Sequence, residues 1–143
     1  MQHKTPEYKK INPNMKVPAL TDRLPDGTVF KLFESNAMLA YLCESRKVEG
    51  HWYARDDPLK RAKINEYLHW HHLNLRQGAE GFMVQRFFNP FFGVKVQKEL
   101  LEEHFKVLSK SIAMIEKNWI NTGEYLIGSQ ITIADLTAVC EIA

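Results

Sequence analysis

The chain has 143 residues and a formal net charge of +2, and its 19 basic side chains are dispersed among 17 acidic ones, so we expect no nucleic-acid partner. No apolar run approaches the roughly 20 residues of a membrane span, and the first residues lack the apolar core of a signal peptide, so we expect no membrane partner. Cys43 and Cys140 are far apart and form no CxxC motif, which argues against a disulfide framework and for a cytoplasmic location.

The first part of the chain, residues 1–48, shows an α/β pattern. Pro18 has no backbone N–H, and it favours an extended conformation at Val17. Short apolar runs at residues 17–21 and 28–33 flank a Pro-Asp-Gly turn, which predicts a β-hairpin. Pro18 could also be a proline that only fixes a turn.

A helix is predicted directly after this hairpin. Ser35 is a residue type that caps helices, and Glu34 before it supplies a carboxylate. The first N–H groups of a helix bind anions. With the extended segment at residues 12–20, this arrangement predicts a site for a small extended peptide that carries both an ammonium and a carboxylate. The alternative is that Ser35 only caps the helix.

After a linker at residues 49–57, the sequence predicts helices only. Asp57 followed by Pro58 is a helix start. The first long helix has a predicted buried stripe at Ile64, Tyr67, Leu68, His71, Leu75, Ala79, Phe82 and Met83. The second has a similar stripe, which predicts an antiparallel pair packed along Leu101, Phe105, Leu108, Ile112, Ile115 and Trp119.

The junction between the two long helices is rich in aromatic residues. Residues 87–92 contain four phenylalanines around an Asn-Pro break. We expect most of these rings to pack where the helices meet, and some could wall an apolar substrate pocket.

A capping box is predicted near the end of the chain. Thr132 can accept from the backbone N–H of Asp135, while the Asp135 carboxylate reaches back to Thr132. We therefore assign Thr132 and Asp135 a structural role. Asp135 could instead bind a ligand, but the local hydrogen bonds already use its carboxylate.

The domain pattern is that of a portion of a longer protein. A lone hairpin with one helix is marginal in water. We expect residues 1–48 to be the carboxy-terminal part of an α/β domain and residues 58–143 to be a truncated helical domain.

A histidine cluster on the first long helix raises the question of a metal site. Glu66, His69 and His72 are spaced three residues apart and share one helical face. The sequence has no HExxH spacing and no cysteine near these residues, and it suggests no third ligand elsewhere. We therefore predict no metal.

Four elements in a fixed order give the chain its resemblance to a known family. It resembles the cytosolic glutathione transferases, and most closely their theta class, in residues 12–20, the Glu34-Ser35-Asn36-Ala37 run, residues 66–72 and the Thr132-to-Asp135 box. The resemblance implies a thioredoxin-like glutathione-binding domain, present here in part as a hairpin and a helix, followed by an all-helical carboxy-terminal domain.

The resemblance also implies how glutathione would be held. Val17, before a proline that is cis in this family, would pair its backbone with the cysteinyl part of glutathione as an added strand. Glu34 and Ser35 would hold the γ-glutamyl end.

Three basic residues complete the implied site. Lys16 and His3 would face the glycyl carboxylate, and Arg76 would lie near the thiol. Lys16 could instead be a solvated charge. Arg76 could instead cap a face of the helix pair or bind a carboxylate within it.

The implied reaction is attack of the glutathione thiolate on a small electrophilic substrate by a homodimeric enzyme that needs no metal. In theta members a serine in the first strand-to-helix turn stabilises the thiolate. Neither Ser35 nor Tyr8 is that residue, so we expect the serine to lie upstream of Met1. We also expect the 143-residue chain to be inactive alone.

The alternatives are a non-catalytic relative, such as the transferase-like domain of an elongation-factor subunit, and a scaffold that only dimerises. The presence of Lys16, Glu34 and Ser35 favours the enzyme.

Overall fold

The structure is a computed structural model that describes residues 2–121 and 123–143. It divides into two compact units, of which the first ends at Glu49 and the second begins at Gly50. No helix within the described residues combines the length and the apolar character that crossing a bilayer requires.

The first unit contains a β-hairpin and one long helix. Its elements are a 3-10 helix (Gln2–Lys4), helix α1 (Pro6–Lys9), strands β1 (Ala19–Arg23) and β2 (Val29–Phe33), and helix α2 (Ser35–Ser45). The strands are antiparallel and pair from Ala19 opposite Phe33 to Arg23 opposite Val29. Pairing begins at Ala19 because Pro18 has no N–H to donate.

The turn of this hairpin follows the predicted chemistry. Gly27 has a φ of 85°, a conformation that glycine adopts without a steric penalty. The N–H of Leu24 donates to Thr28 O over 2.8 Å, and the N–H of Thr28 donates to Asp26 Oδ1 over 2.9 Å. The predicted hairpin is confirmed.

The second unit is helical throughout. Its elements are a 3-10 turn (Gly50–Trp52), helix α3 (Pro58–His71), a π-helical segment (His72–Arg76), helix α4 (Gln77–Met83), a second π-helical segment (Val84–Phe88), helix α5 (Asn89–Phe91), helix α6 (Lys98–Met114) with a π-helical end (Ile115–Ile120), and helix α7 (Ile133–Ile142). Asp57 caps α3 as predicted, because its Oδ1 accepts from the N–H groups of Leu59 and Lys60 at 3.1 and 2.9 Å. The predicted fold class, a hairpin and helix followed by an all-helical region, is confirmed.

The buried face of the first long helix follows the prediction only in part. Ile64, Tyr67, Leu68, His71, Leu75 and Ala79 are buried, whereas Met83 is exposed. The π-helical segment at His72–Arg76 takes more residues per turn, so it rotates the residues that follow about the helix axis. The regular rhythm therefore loses its register before Met83.

The predicted stripe on the second long helix lies inward except at Phe105, because Ile115 is buried and Leu101, Leu108, Ile112 and Trp119 are half-buried. Phe105 is 54% exposed, while Ser111 is 3% exposed. Helix α4 approaches α6 closely, since a Cβ at Gly78 would lie 2.5 Å from Leu108 N, and one at Gly81 would lie 2.3 Å from the His104 ring. These glycines therefore let α4 and α6 approach closely at Leu108 and His104.

The aromatic junction was predicted wrongly. Phe87, Phe88, Phe91 and Phe92 are all exposed. The junction is held instead by the buried amide of Gln85, whose Oε1 accepts from Gln97 N at 3.0 Å and Asn89 Nδ2 at 3.2 Å. A buried amide with two donors replaces the expected ring packing.

Candidate functional site

The segment before β1 is held in shape by two side chains. Asn12 is buried, and its Nδ2 donates to Lys16 O over 2.8 Å while its Oδ1 accepts from Asn14 N at 2.9 Å. The Tyr8 hydroxyl donates to the same Lys16 oxygen over 2.8 Å. Met15 has a φ of 54°, which is uncommon outside glycine. This turn directly precedes Val17.

Val17 is exposed to solvent. The Val17–Pro18 peptide bond is cis, and Val17 is 66% exposed. Val17 lies one residue before Pro18, outside the ladder that begins at Ala19. Its backbone is therefore placed where an extended peptide could pair with it.

Glu34 rather than Ser35 occupies the cap position of α2, which corrects the predicted cap. Ser35 is the first residue of the helix, and no side-chain hydrogen bond caps it. Glu34 has φ 75° and ψ 110°, which is not the extended conformation of an ordinary N-cap. A non-glycine residue in such a region costs about 1–3 kcal/mol and is characteristic of functional sites. Sequence reasoning did not detect this backbone conformation.

The hairpin register brings the two predicted peptide-binding segments together. Ala19 and Phe33 form the last pair of the ladder, so Pro18 and Glu34 follow them at the same end of the two strands. Residues paired across strands lie about 5 Å apart at their Cα atoms. Val17 and the start of α2 therefore border one surface within the first unit.

Tyr8 contacts both basic candidate residues of the first unit, Lys16 and His3. The Lys16 side chain is exposed, and its carbonyl oxygen accepts from the Tyr8 hydroxyl. The His3 ring lies edge-on to the Tyr8 ring, with 6.4 Å between centroids. Tyr8 thus organises this part of the candidate site, and nothing in the sequence pattern indicated that role.

Arg76 belongs to the second unit, on the first π-helical segment. Its Nη1 donates to Glu141 Oε1 over 2.5 Å, and its Nε lies 3.6 Å from Glu80 Oε2. The structure therefore agrees with the predicted alternative, in which Arg76 binds a carboxylate within the helical region. Glu141 is 65 residues away in sequence, so spacing could not reveal it.

A buried histidine touches the same carboxylate. His71 Nε2 lies 3.6 Å from Glu141 Oε1, and His71 Nδ1 lies 3.4 Å from the Tyr67 hydroxyl. Burial lowers the pKa of His71, although the neighbouring Glu141 carboxylate opposes that shift. Burial also raises the pKa of Tyr67, so both groups favour their neutral forms.

The predicted capping box is present at the start of α7. Asp135 Oδ2 accepts from Thr132 N at 2.8 Å, and Thr132 Oγ1 accepts from Ala134 N at 3.2 Å. Asp135 Oδ1 also accepts from Leu126 N at 2.7 Å, which ties the preceding loop to the helix. The carboxylate is thus occupied by local donors.

The carboxylate of the histidine face of α3 is engaged in an ion pair. Glu66 pairs with Lys63 through a 2.6 Å contact. Within the described part of the chain, no three histidine, cysteine, aspartate or glutamate side chains are grouped so that they could hold a metal ion.

Comparisons with known families match both parts of the chain. The N-terminal domain model of glutathione S-transferase matches residues 1–45, and the C-terminal domain model matches residues 79–143. The chain belongs to the glutathione S-transferase family. The predicted resemblance is therefore confirmed.

The relatives of this glutathione S-transferase chain point to one class. It is 43% identical to glutathione S-transferase T1 of Arabidopsis thaliana, over 99% of this chain and 56% of that protein. It is 32% identical to glutathione S-transferase theta-1 of Rattus norvegicus, over 99% of this chain and 57% of that protein. The chain thus spans about half the length of the curated relatives it matches.

Solved theta-class structures share the fold. Human glutathione-S-transferase T1-1 in its apo form superposes with a TM-score of 0.84 at 34% identity, over 99% of this chain and 57% of that one. Human glutathione transferase theta-2, in complex with glutathione and an unknown ligand, gives a TM-score of 0.86 at 34% identity, over 99% and 56%. The theta-like prediction agrees with these neighbours.

Proposed function

We propose that this chain is the glutathione-binding and helical portion of a theta-like glutathione transferase, which conjugates the glutathione thiolate to a small electrophilic substrate. The observation that carries the proposal is the hairpin register, because it sets Val17–Pro18 and Glu34–Ser35 at one end of the β-ladder. An extended peptide with charged ends requires a backbone partner and a charged terminus in that arrangement.

In this proposal the backbone groups of Val17 bind the cysteinyl unit of glutathione. Glu34 receives the γ-glutamyl ammonium, and the start of α2 at Ser35 receives the γ-glutamyl carboxylate. Lys16 and His3, which both contact Tyr8, attract the glycyl carboxylate.

Arg76 is proposed to act on the thiol side as a fixed positive charge. A positive charge near a thiol lowers its pKa and favours the thiolate, which is the nucleophile. We assign the thiolate hydrogen bond neither to Tyr8, whose hydroxyl donates to Lys16 O, nor to Ser35, which starts α2.

We further propose a homodimer in the cytoplasm that uses glutathione as co-substrate and needs no metal. The support is membership of the glutathione S-transferase family and the composition of the chain. Light scattering coupled to size-exclusion chromatography measures the oligomeric state, and a monomeric mass would contradict the dimer.

Glutathione binding tests the site directly. Calorimetric titration of the 143-residue chain with S-methylglutathione is expected to show saturable binding. Glu34→Gln should weaken it about tenfold, the size of one lost charge-assisted contact. Glu49→Gln, which neutralises an exposed carboxylate of the same unit, should bind like the unaltered chain. Equal affinities for the two variants would contradict the role of Glu34.

Turnover is tested in a protein of the length of the relatives. In the Arabidopsis thaliana relative, the 144 aligned residues are replaced by this chain, and conjugation of an electrophilic halide is followed. The chimera should turn over, and Glu34→Gln should reduce its activity. A chimera that binds glutathione without turnover would favour the non-catalytic alternative.

A further inference from the structure

One backbone carbonyl in the first unit accepts two side-chain hydrogen bonds. The Tyr8 hydroxyl and Asn12 Nδ2 each donate to Lys16 O over 2.8 Å. A carbonyl oxygen has two lone pairs, so both acceptor positions of this oxygen are in use. The Lys16 carbonyl lies in the same rigid peptide plane as the Val17 N–H. The two donors therefore fix the orientation of the Val17 N–H as well.

The two donors are themselves held in place. Asn12 is 3% exposed, and its Oδ1 accepts from Asn14 N at 2.9 Å. Its backbone N–H donates to Tyr8 O over 2.9 Å, and its backbone oxygen accepts from Met15 N at 2.9 Å. A buried amide with these partners has little freedom to rotate, because rotation would leave a buried polar group unpaired.

The opposite edge of the same peptide has no partner. The Lys16–Val17 peptide bond is trans, so its N–H points away from its carbonyl oxygen and from both donors. Val17 is 66% exposed, and among the described residues no hydrogen bond of its N–H is seen. The strand ladder begins two residues later, at Ala19. The Val17 N–H is therefore fixed in direction and open to an acceptor from outside the chain.

Hydrogen bonds to the carbonyl also make the N–H of the same peptide a stronger donor. Hydrogen bonds connected in a chain polarise one another, because electron density drawn to the oxygen leaves the N–H more positive. A donor that is already oriented also loses less conformational freedom when a ligand binds. Both effects favour an acceptor that meets the Val17 N–H.

We propose that Tyr8 and Asn12 are positioning residues, which aim and polarise the Val17 N–H toward the cysteinyl carbonyl of bound glutathione. The ligand part of this inference rests on the proposed function, in which the backbone of Val17 pairs with the cysteinyl unit. Residues that pair in an antiparallel ladder can exchange both N–H and C=O bonds, so the cysteinyl carbonyl is the partner of this N–H. Neither Tyr8 nor Asn12 touches glutathione in this scheme.

The geometric part, that two side chains fix the Lys16–Val17 peptide, is tested by backbone NMR of the unliganded 143-residue chain. The order parameter of the Val17 N–H should be about 0.85, as in rigid backbone, and should fall below about 0.6 in a Tyr8→Phe and Asn12→Asp double variant. Asn12→Asp keeps an acceptor for Asn14 N and replaces the donor by an oxygen.

A second NMR signal reports on the carbonyl directly. The resonance of the Lys16 carbonyl carbon should move upfield in each single variant, because each removes one hydrogen bond to its oxygen. Tyr53→Phe, which removes a hydroxyl that donates to Asn65 in the second unit, is the matched control and should change neither signal. An order parameter in the double variant equal to that of the unaltered chain would overturn the geometric part.

The ligand part is tested by calorimetric titration with S-methylglutathione. Tyr8→Phe should weaken binding about fivefold, the size of one ordinary hydrogen bond. Asn12→Asp should weaken it about tenfold, because the new oxygen also repels Lys16 O. Tyr53→Phe should bind like the unaltered chain. Unchanged affinities in Tyr8→Phe and Asn12→Asp would overturn the ligand part.

An altered ligand separates an aimed N–H from a general loss of structure. In an ester analogue of S-methylglutathione, glycolic acid replaces glycine, which makes the cysteinyl carbonyl a weaker acceptor. The unaltered chain should bind the ester about fivefold more weakly than the amide, and the double variant should bind the two about equally. The same preference for the amide in both proteins would show a merely structural effect and overturn the proposal.

Failure of this inference and failure of the proposed function are distinguishable. An unaltered chain that binds no S-methylglutathione contradicts the proposed function and the ligand part, while the order parameter still decides the geometric part. If Asn12→Asp does not fold, Tyr8→Phe alone should lower the order parameter of Val17 and reduce the preference for the amide. A Tyr8→Phe variant that changes neither would contradict the role of Tyr8.

Discussion

Buried apolar side chains are shared unequally between the two units. All twelve in the described residues lie between Ala54 and Ala138. In residues 2–49 the one buried side chain is the polar Asn12. The first unit therefore depends more on hydrogen bonds, such as those of Asn12, whereas the second depends on packing.

This difference shows where binding groups and stability reside. Exposed backbone and side chains can meet a ligand, and the proposed peptide-binding groups lie in the first unit. Buried apolar area supplies most of the folding free energy. We therefore expect large stability effects from single substitutions in the second unit and local effects from those in the first.

The largest effect is expected for Gly78→Ala. Its Cβ would lie 2.5 Å from Leu108 N, a backbone atom that cannot turn aside. Overpacking of this kind should lower the free energy of unfolding by about 3 kcal/mol. Chemical denaturation followed by circular dichroism measures the change.

The matched control for this prediction is Gly50→Ala. A Cβ at Gly50 would meet no atom within 4 Å, so stability should change little. Equal losses for both variants would show that backbone freedom, rather than the close approach of α4 and α6, determines the cost.

Asp135→Ala should have the next largest effect. It removes the acceptor for Thr132 N, Thr132 Oγ1 and Leu126 N. We expect a loss of about 2 kcal/mol in the free energy of unfolding, since a helix cap and a buried amide lose their partner. Thermal denaturation checks this. Asp56→Ala, at an exposed aspartate, should be neutral, and a similar loss there would contradict the assignment.

A smaller effect concerns the pH dependence of stability. Burial lowers the pKa of His71 below its ordinary value of 6.5, against the opposing Glu141 and together with His72 and Arg76. The unfolded chain therefore binds more protons below pH 6.5, so this contribution to stability is full above that pH and falls as the pH falls.

The test of this prediction is denaturation at several pH values. His71→Gln should flatten the fall of stability below pH 6.5, although it lowers stability at neutral pH because packing is disturbed. His69→Gln, at an exposed histidine, should leave the slope unchanged. An unchanged slope in His71→Gln would assign the acid sensitivity to other groups.

The smallest global effect is expected in the first unit, at Asp22. Its Oδ2 accepts from Tyr41 Oη at 2.6 Å and Arg46 Nη2 at 2.5 Å, and these bonds hold the pKa of Asp22 below its ordinary value. Asp22→Asn should speed amide hydrogen exchange in β1 and β2 without moving the unfolding midpoint of the second unit. Tyr41→Phe removes one donor and should give about half the change.

Exchange rates in the hairpin that do not respond to Asp22→Asn would contradict a first unit held by polar contacts. A shift in the unfolding midpoint of the second unit would contradict the separation of the two units, because they would then share one cooperative transition.

Local signals in the sequence predicted local structure well. The Asp57-Pro58 start, the hairpin turn at Gly27 and the Thr132-to-Asp135 box were all predicted and are present. Each depends on groups no more than four residues apart. The exception is Ser35, where the short path from β2 into α2 places Glu34 in the cap position with a positive φ.

Contacts between distant elements were not predictable in the same way. The close approach of α6 to α4 depends on Gly78 and Gly81, which lie on the other helix. The Arg76 to Glu141 contact spans 65 residues. No spacing rule relates such positions, because the rotation of one helix against another is decided by which side chains the partner allows.

The sequence by itself determined the family, the fold class and most element starts, because turns, caps and amphipathic rhythm are encoded within a few residues. The candidate glutathione-binding residues were also nameable from motif order, although their roles remain predictions. Only the tertiary structure decided how closely α4 approaches α6, that Tyr8 contacts both Lys16 and His3, and that Glu141 holds Arg76. Those outcomes depend on close packing and on charge balance between segments far apart in the chain.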